Sequence, residues 1–552
     1  MTIILPVSRR GLIIGGAAGV AGVAAYLALP MRGGSVQAQP TPTLADTILL
    51  REAQDIRDDR IGSGISPDGR AKLPLGPHGK RFWLDTQNGN DHAKGNSPDA
   101  AFRTEAKAYE HWGAGDQLMI ASGSTLTTPA PDLRTLAAFD RRFPTVIQSY
   151  DRRRPADESG HGLLANQVAY RGEKPMVGAN MKSDGNRNFA IRGITFDHVQ
   201  TLQHLKYGFH VGIDWLLVEQ CAFLAASLTL NALRPCEGHI IRQCAFFGQW
   251  DPSERPQGIF TKKVTGTTIE DCVFFHCGWR DGLERSAAKE LGGPTIFNHG
   301  LYCAVESSGM LRRSVFLSPS SHGAQLRGDW ASHDNIFIDC PLALQHGGGR
   351  RYAQEAPNGV TAHCYRNIVT VAEDITPSLP RGFGIEVLNT RPGSLVEQCL
   401  VVGPGTQVSK PRNAFAASAL PGPEYEPNPT IIQFARNTNA WSNRKITQSP
   451  GGDTPRVQVT ETANLTPESK ASFADPTRDG ITAAQSLGMA SLDALGRAMV
   501  ADPTQPWAQK IAAHIGPGYA PSPRSVAQLR LADGSFAGAI LPDGRWNDGT
   551  RA

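Results

Sequence analysis

Glu219-Gln-Cys-Ala-Phe223, Arg242-Gln-Cys-Ala-Phe246 and Glu270-Asp-Cys-Val-Phe274 repeat one phrase: the end of an apolar strand, a small residue, then an alternating strand with an aromatic. Working outward, Ile194-Thr-Phe196 precedes them. Arg313-Ser-Val-Phe316, Asp334-Asn-Ile-Phe337, Arg366-Asn-Ile-Val369 and Glu397-Gln-Cys-Leu-Val401 follow. The small residue falls at Cys221, Cys244, Cys272, Ser314, Asn335, Asn367 and Cys399, at spacings of 23, 28, 42, 21, 32 and 32 residues. Such a period marks a solenoid of short strands, one rung per repeat, with insertions pushed into loops. Within each phrase, alternation sends side chains by turns into and out of the coil. The expected fold is all-β: a single-stranded right-handed parallel β-helix with an N-terminal capping helix and a helical C-terminal extension.

The amino terminus reads as a targeting segment. Ser8-Arg9-Arg10-Gly11-Leu12 leads an uncharged stretch to Leu29, rich in Gly and Ala, and Val36-Gln37-Ala38 supplies a small-residue cleavage site. This is the pattern of a twin-arginine export signal over residues 1–38. The alternative is an uncleaved anchor, since the apolar run is nearly long enough to span a bilayer. Cleavage, which the glycines favour, places the mature chain in the periplasm or outside the cell with no stable membrane insertion. The formal charge of +4 then loses Arg9, Arg10 and Arg32 and falls to +1. A nearly neutral chain has no global field to hold nucleic acid, so an acidic substrate must be met by a local cluster of bases. With 40% hydrophobic and 19% charged residues, 58 Gly and 39 Pro, the composition suits a loop-rich all-β body, expected as a monomer.

Nine cysteines in an exported chain ordinarily suggest disulfides. Here Cys221, Cys244, Cys272 and Cys399 hold the repeated small position and are expected to stack inside the coil as small hydrophobes. Cys236, Cys277, Cys303, Cys340 and Cys364 are left for a possible bridge.

Ahead of the repeats, residues 43–60 carry apolar positions amid charges, as a surface helix capping the solenoid would, within a capping segment at 39–80. Phe82-Trp-Leu-Asp85, Gly89-Asn-Asp91, Gly95-Asn-Ser-Pro98 and Gly115-Asp116-Gln-Leu-Met-Ile120 give a strand, a polar turn and a second strand, with an amphipathic helix over Glu105 to Trp112 between them. This order resembles the opening of secreted β-helix polysaccharide lyases. Asp85, Asn90 and Asp91 are candidate Ca²⁺ ligands through hard oxygens, against a metal-free Asx-rich turn. The solenoid is expected over 81–440. The extension at 441–552, with Leu492, Leu495, Met499 and Val500 on one helical face, is expected to pack on it.

A solenoid stacks equivalent residues at about 4.8 Å, so a functional cluster shows as a column in the aligned repeats. Aligning Pro256–Lys262, Phe297–Cys303, Ser321–Arg327 and Pro341–His346 puts His299 with His322, Tyr302 with Gln325, Lys262 with Arg327 and His346, and Glu306 with Asp329. The last three columns share a parity and hence a face. The histidines join them only where the His-Gly step is a corner rather than regular strand. A hydrogen-bonded polar ladder around Gly300 and Gly323 is the structural alternative, though a solvated face normally carries Lys, Glu, Thr and Ser.

Asn298-His-Gly-Leu-Tyr302 followed by His322-Gly-Ala-Gln-Leu-Arg327 resembles the paired rungs of pectate-lyase-like β-helix proteins, including bacterial exopolysaccharide lyases, over roughly residues 80 to 405. The acidic calcium-binding trio of pectate lyases and the Asp-Pro-His-Asp pattern of alginate epimerases are missing from the sequence, which counts against those two activities. The resemblance implies an acidic polysaccharide as substrate. Cutting a uronic-acid glycan by β-elimination needs a base for the C5 proton, an acid for the leaving O4, and positive or hydrogen-bonding groups for the carboxylate. His299 or His322 fits the base, Tyr302 the acid, and Arg327 with Gln325 the carboxylate. Lys262, if desolvated, is the alternative base. His346, Trp279, Arg280 and Asn298 are candidate substrate contacts, Trp279 by stacking on a sugar from the insertion at 276–298, where Glu284 to Leu291 reads as a short helix. Hydrolysis wants two flanking carboxyls, for which Glu306 and Asp329 form the best pair. A noncatalytic glycan-binding envelope protein is the third reading, disfavoured by 7% aromatics, many of them in an expected interior ladder of Phe223, Phe246, Phe274 and Phe316.

Overall fold

The computed structural model describes residues 73–132, 142–152, 168–179, 188–198, 205–251, 255–348, 359–370, 374–379, 383–402, 413–418, 430–435, 437–440, 447–449, 457–462 and 480–515, with residues 71, 356 and 464. The export segment, the expected helix at 43–60 and the end of the chain after 515 lie outside them. Strands stack into three parallel sheets of 13, 11 and 10 strands, and each rung visits the three in turn. Leu216–Glu219, Ala222–Leu224 and Ala226–Glu237 make one such rung, in the first, second and third sheet respectively. This is the right-handed parallel β-helix that the repeat implies.

The corner between first and second sheets explains the repeated phrase. Gln220, Gln243, Asp271, Arg313, Asp334, Arg366 and Gln398 all hold φ between 47° and 56°, so a single left-handed residue turns the chain between two extended strands. The small residue follows at once and enters the coil. Cys272 N–H donates to Ser314 Oγ at 3.2 Å, Ser314 N–H to Asn335 Oδ1 at 3.0 Å, and Asn335 N–H to Asn367 Oδ1 at 3.1 Å. The ladder runs on through Asn437 and Asn464, which the sequence pattern did not single out. Beside it, the rings of Phe196, Phe223, Phe246, Phe274, Phe316 and Phe337 stack at centroid spacings of 4.3 to 4.9 Å.

All nine cysteines are free and buried, so no bridge forms among the five left unassigned. Cys277 and Cys340 sit just past the second corner, and Cys303 faces the core from the third sheet. Cys364 and Cys399 have their sulfurs 3.6 Å apart, unbridged. Cys272 Sγ points at Glu270 O at 3.3 Å, the same contact that Ser314 Oγ makes to Arg312 O at 3.0 Å. Cys272→Ser should therefore cost about 1 kcal/mol or less in denaturant unfolding, because the hydroxyl inherits a partner.

Outside the coil, the first sheet carries a column of charge: Gln148, Arg192, Glu219, Arg242, Glu270, Arg312 and His333 lie in register on successive rungs. Opposite charges on neighbouring strands attract, and here they are buried. Glu219 is fully buried, accepting from Arg192 Nε at 2.7 Å and from Ala71 N at 3.0 Å.

The amphipathic helix forms at Glu105–His111, capped by the Thr104 hydroxyl. The rungs continue through Thr447–Ser449 and Val457–Thr462, past the expected limit at residue 440. Three helices follow at Gly480–Ser486, Leu492–Ala501 and Trp507–Ile515. Leu495, Met499, Ile511 and Ile515 pack on the outer apolar residues of the second sheet, among them Phe275, Leu317 and Ile338. Gly496 permits that approach, since a Cβ there would lie 2.5 Å from the Phe275 ring. Among the described residues no helix is long and apolar enough to cross a membrane.

Candidate active site

The third sheet builds the site. Leu301, Ala324, Leu344 and Ile385 stack toward the core, so alternation turns their neighbours outward. Phe260, Tyr302, Gln325, Gln345 and Glu386 form that outward column in register. His346 belongs one residue further on, in register with Leu326, and points inward. Fully buried, with Nε2 2.9 Å from Ser332 Oγ, it is a core histidine and is removed from the substrate contacts.

The two histidines do join the column. At Gly300 a Cβ would lie 2.7 Å from Gly323 O and 3.0 Å from the Phe316 ring; at Gly323 it would meet Ala343 O and the Phe337 ring at 2.7 Å. Only glycine lets the chain run this close to the Phe ladder, and the preceding histidine is carried to the outer side. His299 stacks on Tyr302 with centroids 5.6 Å apart and planes at 11°. His322 Nδ1 lies 3.2 Å from His299 Nδ1, and His322 Nε2 lies 3.4 Å from Gln325 Nε2. The Arg327 guanidinium sits 5.1 Å from the Tyr302 ring centre and donates to Gln325 Oε1 at 3.1 Å. Gln325 bonds Gln345, and Gln345 Nε2 donates to Glu386 Oε2 at 2.7 Å.

Sequence reasoning missed Gln345 and Glu386. A signal was present: Gly300-Leu-Tyr302, Gly323-Ala-Gln325 and Gly384-Ile-Glu386 share one phrase, broken only where Ala343 replaces glycine. The intervening insertion of uneven length hid it.

Burial, with the Arg327 charge behind it, pushes the His299 pKa down to about 3. Burial also lowers His239, His276 and His363 to about 4. An unfolded histidine titrates near ~6.5, so between there and about 4 the unfolded chain binds protons that the folded one refuses. Stability is then complete above that unfolded value and falls as the pH drops. The melting temperature should decline steadily from about pH 6.5 to 4.5; a flat profile over that range would contradict the buried neutral rings.

Other expected site residues lie elsewhere. Trp279 is buried, with its indole N–H on Ser318 O at 2.9 Å, so it pins the insertion and offers no face to a sugar. The expected helix there reduces to one 3-10 turn at Lys289–Leu291. Arg280 is exposed and turned toward Trp250. Asn298 is buried and donates to Gly278 O at 2.9 Å, a backbone tie rather than a substrate contact. Lys262 is 46% exposed with Nζ 4.0 Å from Glu306, without the burial a desolvated base requires. Glu306 and Asp329 do not make a hydrolytic pair: Glu306 faces Lys262 and Lys263, and Asp329 is bonded to Arg391 at 2.9 Å and to Thr361 N at 2.8 Å.

Of the candidate calcium ligands, Asp85 and Asn90 form Asx-turns and Asp91 ties its loop to the start of the helix at Glu105–His111. Asp85 accepts from Gln87 N and Asn88 N, each at 2.9 Å, and from Arg152 Nε at 2.8 Å. Asp91 accepts from Arg103 N, Thr104 N and the Thr104 hydroxyl, and Asn90 from His92 N. With these oxygens turned to N–H and O–H donors, the segment does not fit a cation.

No protein-family model and no curated protein matches the chain. Among solved structures it is similar to a lacto-N-biosidase from Eubacterium ramulus, at 10% identity and TM-score 0.32 over 70% of this chain and 68% of that one. It is similar to a pectate lyase at 11% identity and TM-score 0.32, over 76% and 88%. It is also similar to a rhamnogalacturonan lyase at 11% and 0.28, over 70% and 87%.

Proposed function

We propose that this protein is an exported enzyme that cleaves a uronic-acid-containing polysaccharide by β-elimination at the outer wall of the third sheet. The observation that supports it most is the placing of the Arg327 guanidinium over Tyr302, 5.1 Å from the ring centre, with His299 stacked on the same ring. A planar guanidinium pairs with a carboxylate through two parallel hydrogen bonds. Beside it, a phenol and an imidazole pair are the groups that manage the two protons of an elimination. Hydrolysis by paired carboxyls is supported less well, since within the hydrogen-bonded cluster the described residues offer Glu386 alone.

The test is an ultraviolet absorbance scan of the chain from Gln39 onward with a panel of acidic polysaccharides. A rising absorbance from the unsaturated uronate on one polymer is the expected result. A flat trace on every uronate-rich polymer, with reducing ends released from a neutral glycan, would overturn it in favour of hydrolysis.

A further inference from the structure

The groups of fixed hydrogen-bonding character around the histidine pair decide where its protons lie. A carboxylate only accepts, while a guanidinium and a backbone N–H only donate. Glu386 Oε2 takes the Gln345 Nε2–H at 2.7 Å, so the Gln345 amide turns its oxygen toward Gln325. Gln325 therefore gives Nε2–H to that oxygen and presents its own Oε1 to Arg327 at 3.1 Å, as the guanidinium requires. The Gln325 nitrogen also faces His322 Nε2 at 3.4 Å, which is left to accept. A neutral imidazole carries one proton, so that of His322 sits on Nδ1, between Ser321 Oγ and His299 Nδ1, each 3.2 Å away. From the other side, the His322 backbone N–H points at the same His299 Nδ1 at 3.4 Å. His299 Nδ1 thus accepts, and the proton of His299 rests on Nε2, which has no hydrogen-bond partner among the described residues. Carboxylate, guanidinium and backbone N–H, three separate anchors, agree on one arrangement.

We infer that Glu386 is a positioning residue: through Gln345 and Gln325 it sets the polarity of the hydrogen-bond chain, so that His299 meets the substrate as an Nε2–H donor and the wall receives an anionic oxygen. The proton positions stand independently, whereas the part they play in cleavage rests on the β-elimination reading. In that reaction His299 acts on the donating side, stabilising negative charge, and is not the base that removes the C5 proton. Removal of that proton passes to Tyr302, which meets it as a phenolate and hands the same proton on to the leaving O4.

The test uses the full chain labelled with [15N]histidine, near neutral pH, with the two rings assigned from His299→Asn and His322→Asn. Long-range 1H–15N correlations report which nitrogen of each ring is protonated. The expected wild-type spectrum has a single tautomer per ring, Nε2–H at His299 and Nδ1–H at His322. Glu386→Gln frees the Gln345 amide to face either way, and Gln345→Leu cuts the chain at its middle. Because Arg327 also holds Gln325 Oε1, both changes are made in an Arg327→Ala background, where each should split the His322 signal into two tautomers of comparable intensity, while Arg327→Ala alone leaves it single. A wild-type His299 protonated on Nδ1, or a His322 tautomer unmoved in both double variants, overturns the inference. Titration with D-glucuronate, with D-glucose as control, then separates the two readings. A shift of the His299 Nε2–H signal by glucuronate alone supports both. No shift, with the tautomers as expected, leaves the proton arrangement standing and removes the uronate reading.

Discussion

Glu270→Ala should lower the stability of the folded chain by about 3–5 kcal/mol, the cost of leaving buried cations without their counter-charge. The Glu270 carboxylate is 2% exposed and serves three guanidiniums: Arg242 Nε at 3.2 Å, Arg312 Nε at 2.8 Å and Arg313 Nη2 at 3.0 Å. Arg312 is itself 1% exposed, so its charge has no water to fall back on. Arg242 keeps Glu219 at 3.3 Å and Arg313 keeps Asp271 at 2.8 Å, which holds the loss below that of emptying the whole ladder. Denaturant unfolding measures the effect. Asp493→Ala, which breaks a half-exposed pair with Arg497 at 2.9 Å, should lower the unfolding free energy by about 0.5 kcal/mol or less. Equal losses in the two variants would show that burial does not govern the ladder.

Tyr302→Phe and Arg327→Ala should each reduce formation of unsaturated product by about 10²–10⁴-fold on the polymer that responds, with the far-ultraviolet spectrum unchanged. Tyr302 presents its hydroxyl from the outer face of the sheet while Phe260 already holds the same place one rung earlier, so the truncated ring is accommodated. Arg327 lies just after its strand, half-buried, and stacks on the Tyr302 ring rather than anchoring the core. Lys262→Ala, by contrast, should leave the rate within about a factor of three, since its ammonium is exposed beside Glu306. A Lys262 variant as inactive as the Tyr302 variant would move the proton-abstracting role to the lysine.

Much of this wall was legible because a solenoid converts sequence spacing into spatial neighbourhood. The pairings of His299 with His322 and of Tyr302 with Gln325 need only a correct repeat alignment, and the register bears them out. The alignment slipped by one residue at His346, where a period of two turns a one-place error into the opposite face. Glu386 was lost because the insertion before it lengthens the rung, and no local pattern announces how many residues a loop has taken up. Trp279 was misplaced for another reason. A tryptophan on a long insertion looks the same in sequence whether its indole meets a sugar or the Ser318 carbonyl.

The sequence by itself determined the coil, the small-residue ladder and the Phe stack, because each follows from short-range alternation repeated at the rung period. Tertiary structure decided the rest. Which oxygens were already occupied removed calcium from Asp85 and Asp91 and separated Glu306 from Asp329. The approach of Gly300 and Gly323 to the aromatic stack carried the histidines to the outer side of the third sheet. The carboxylate of Glu386, reached only across successive rungs, fixed the direction of the hydrogen bonds among them, since a donor or acceptor acquires its role from the partner packing provides.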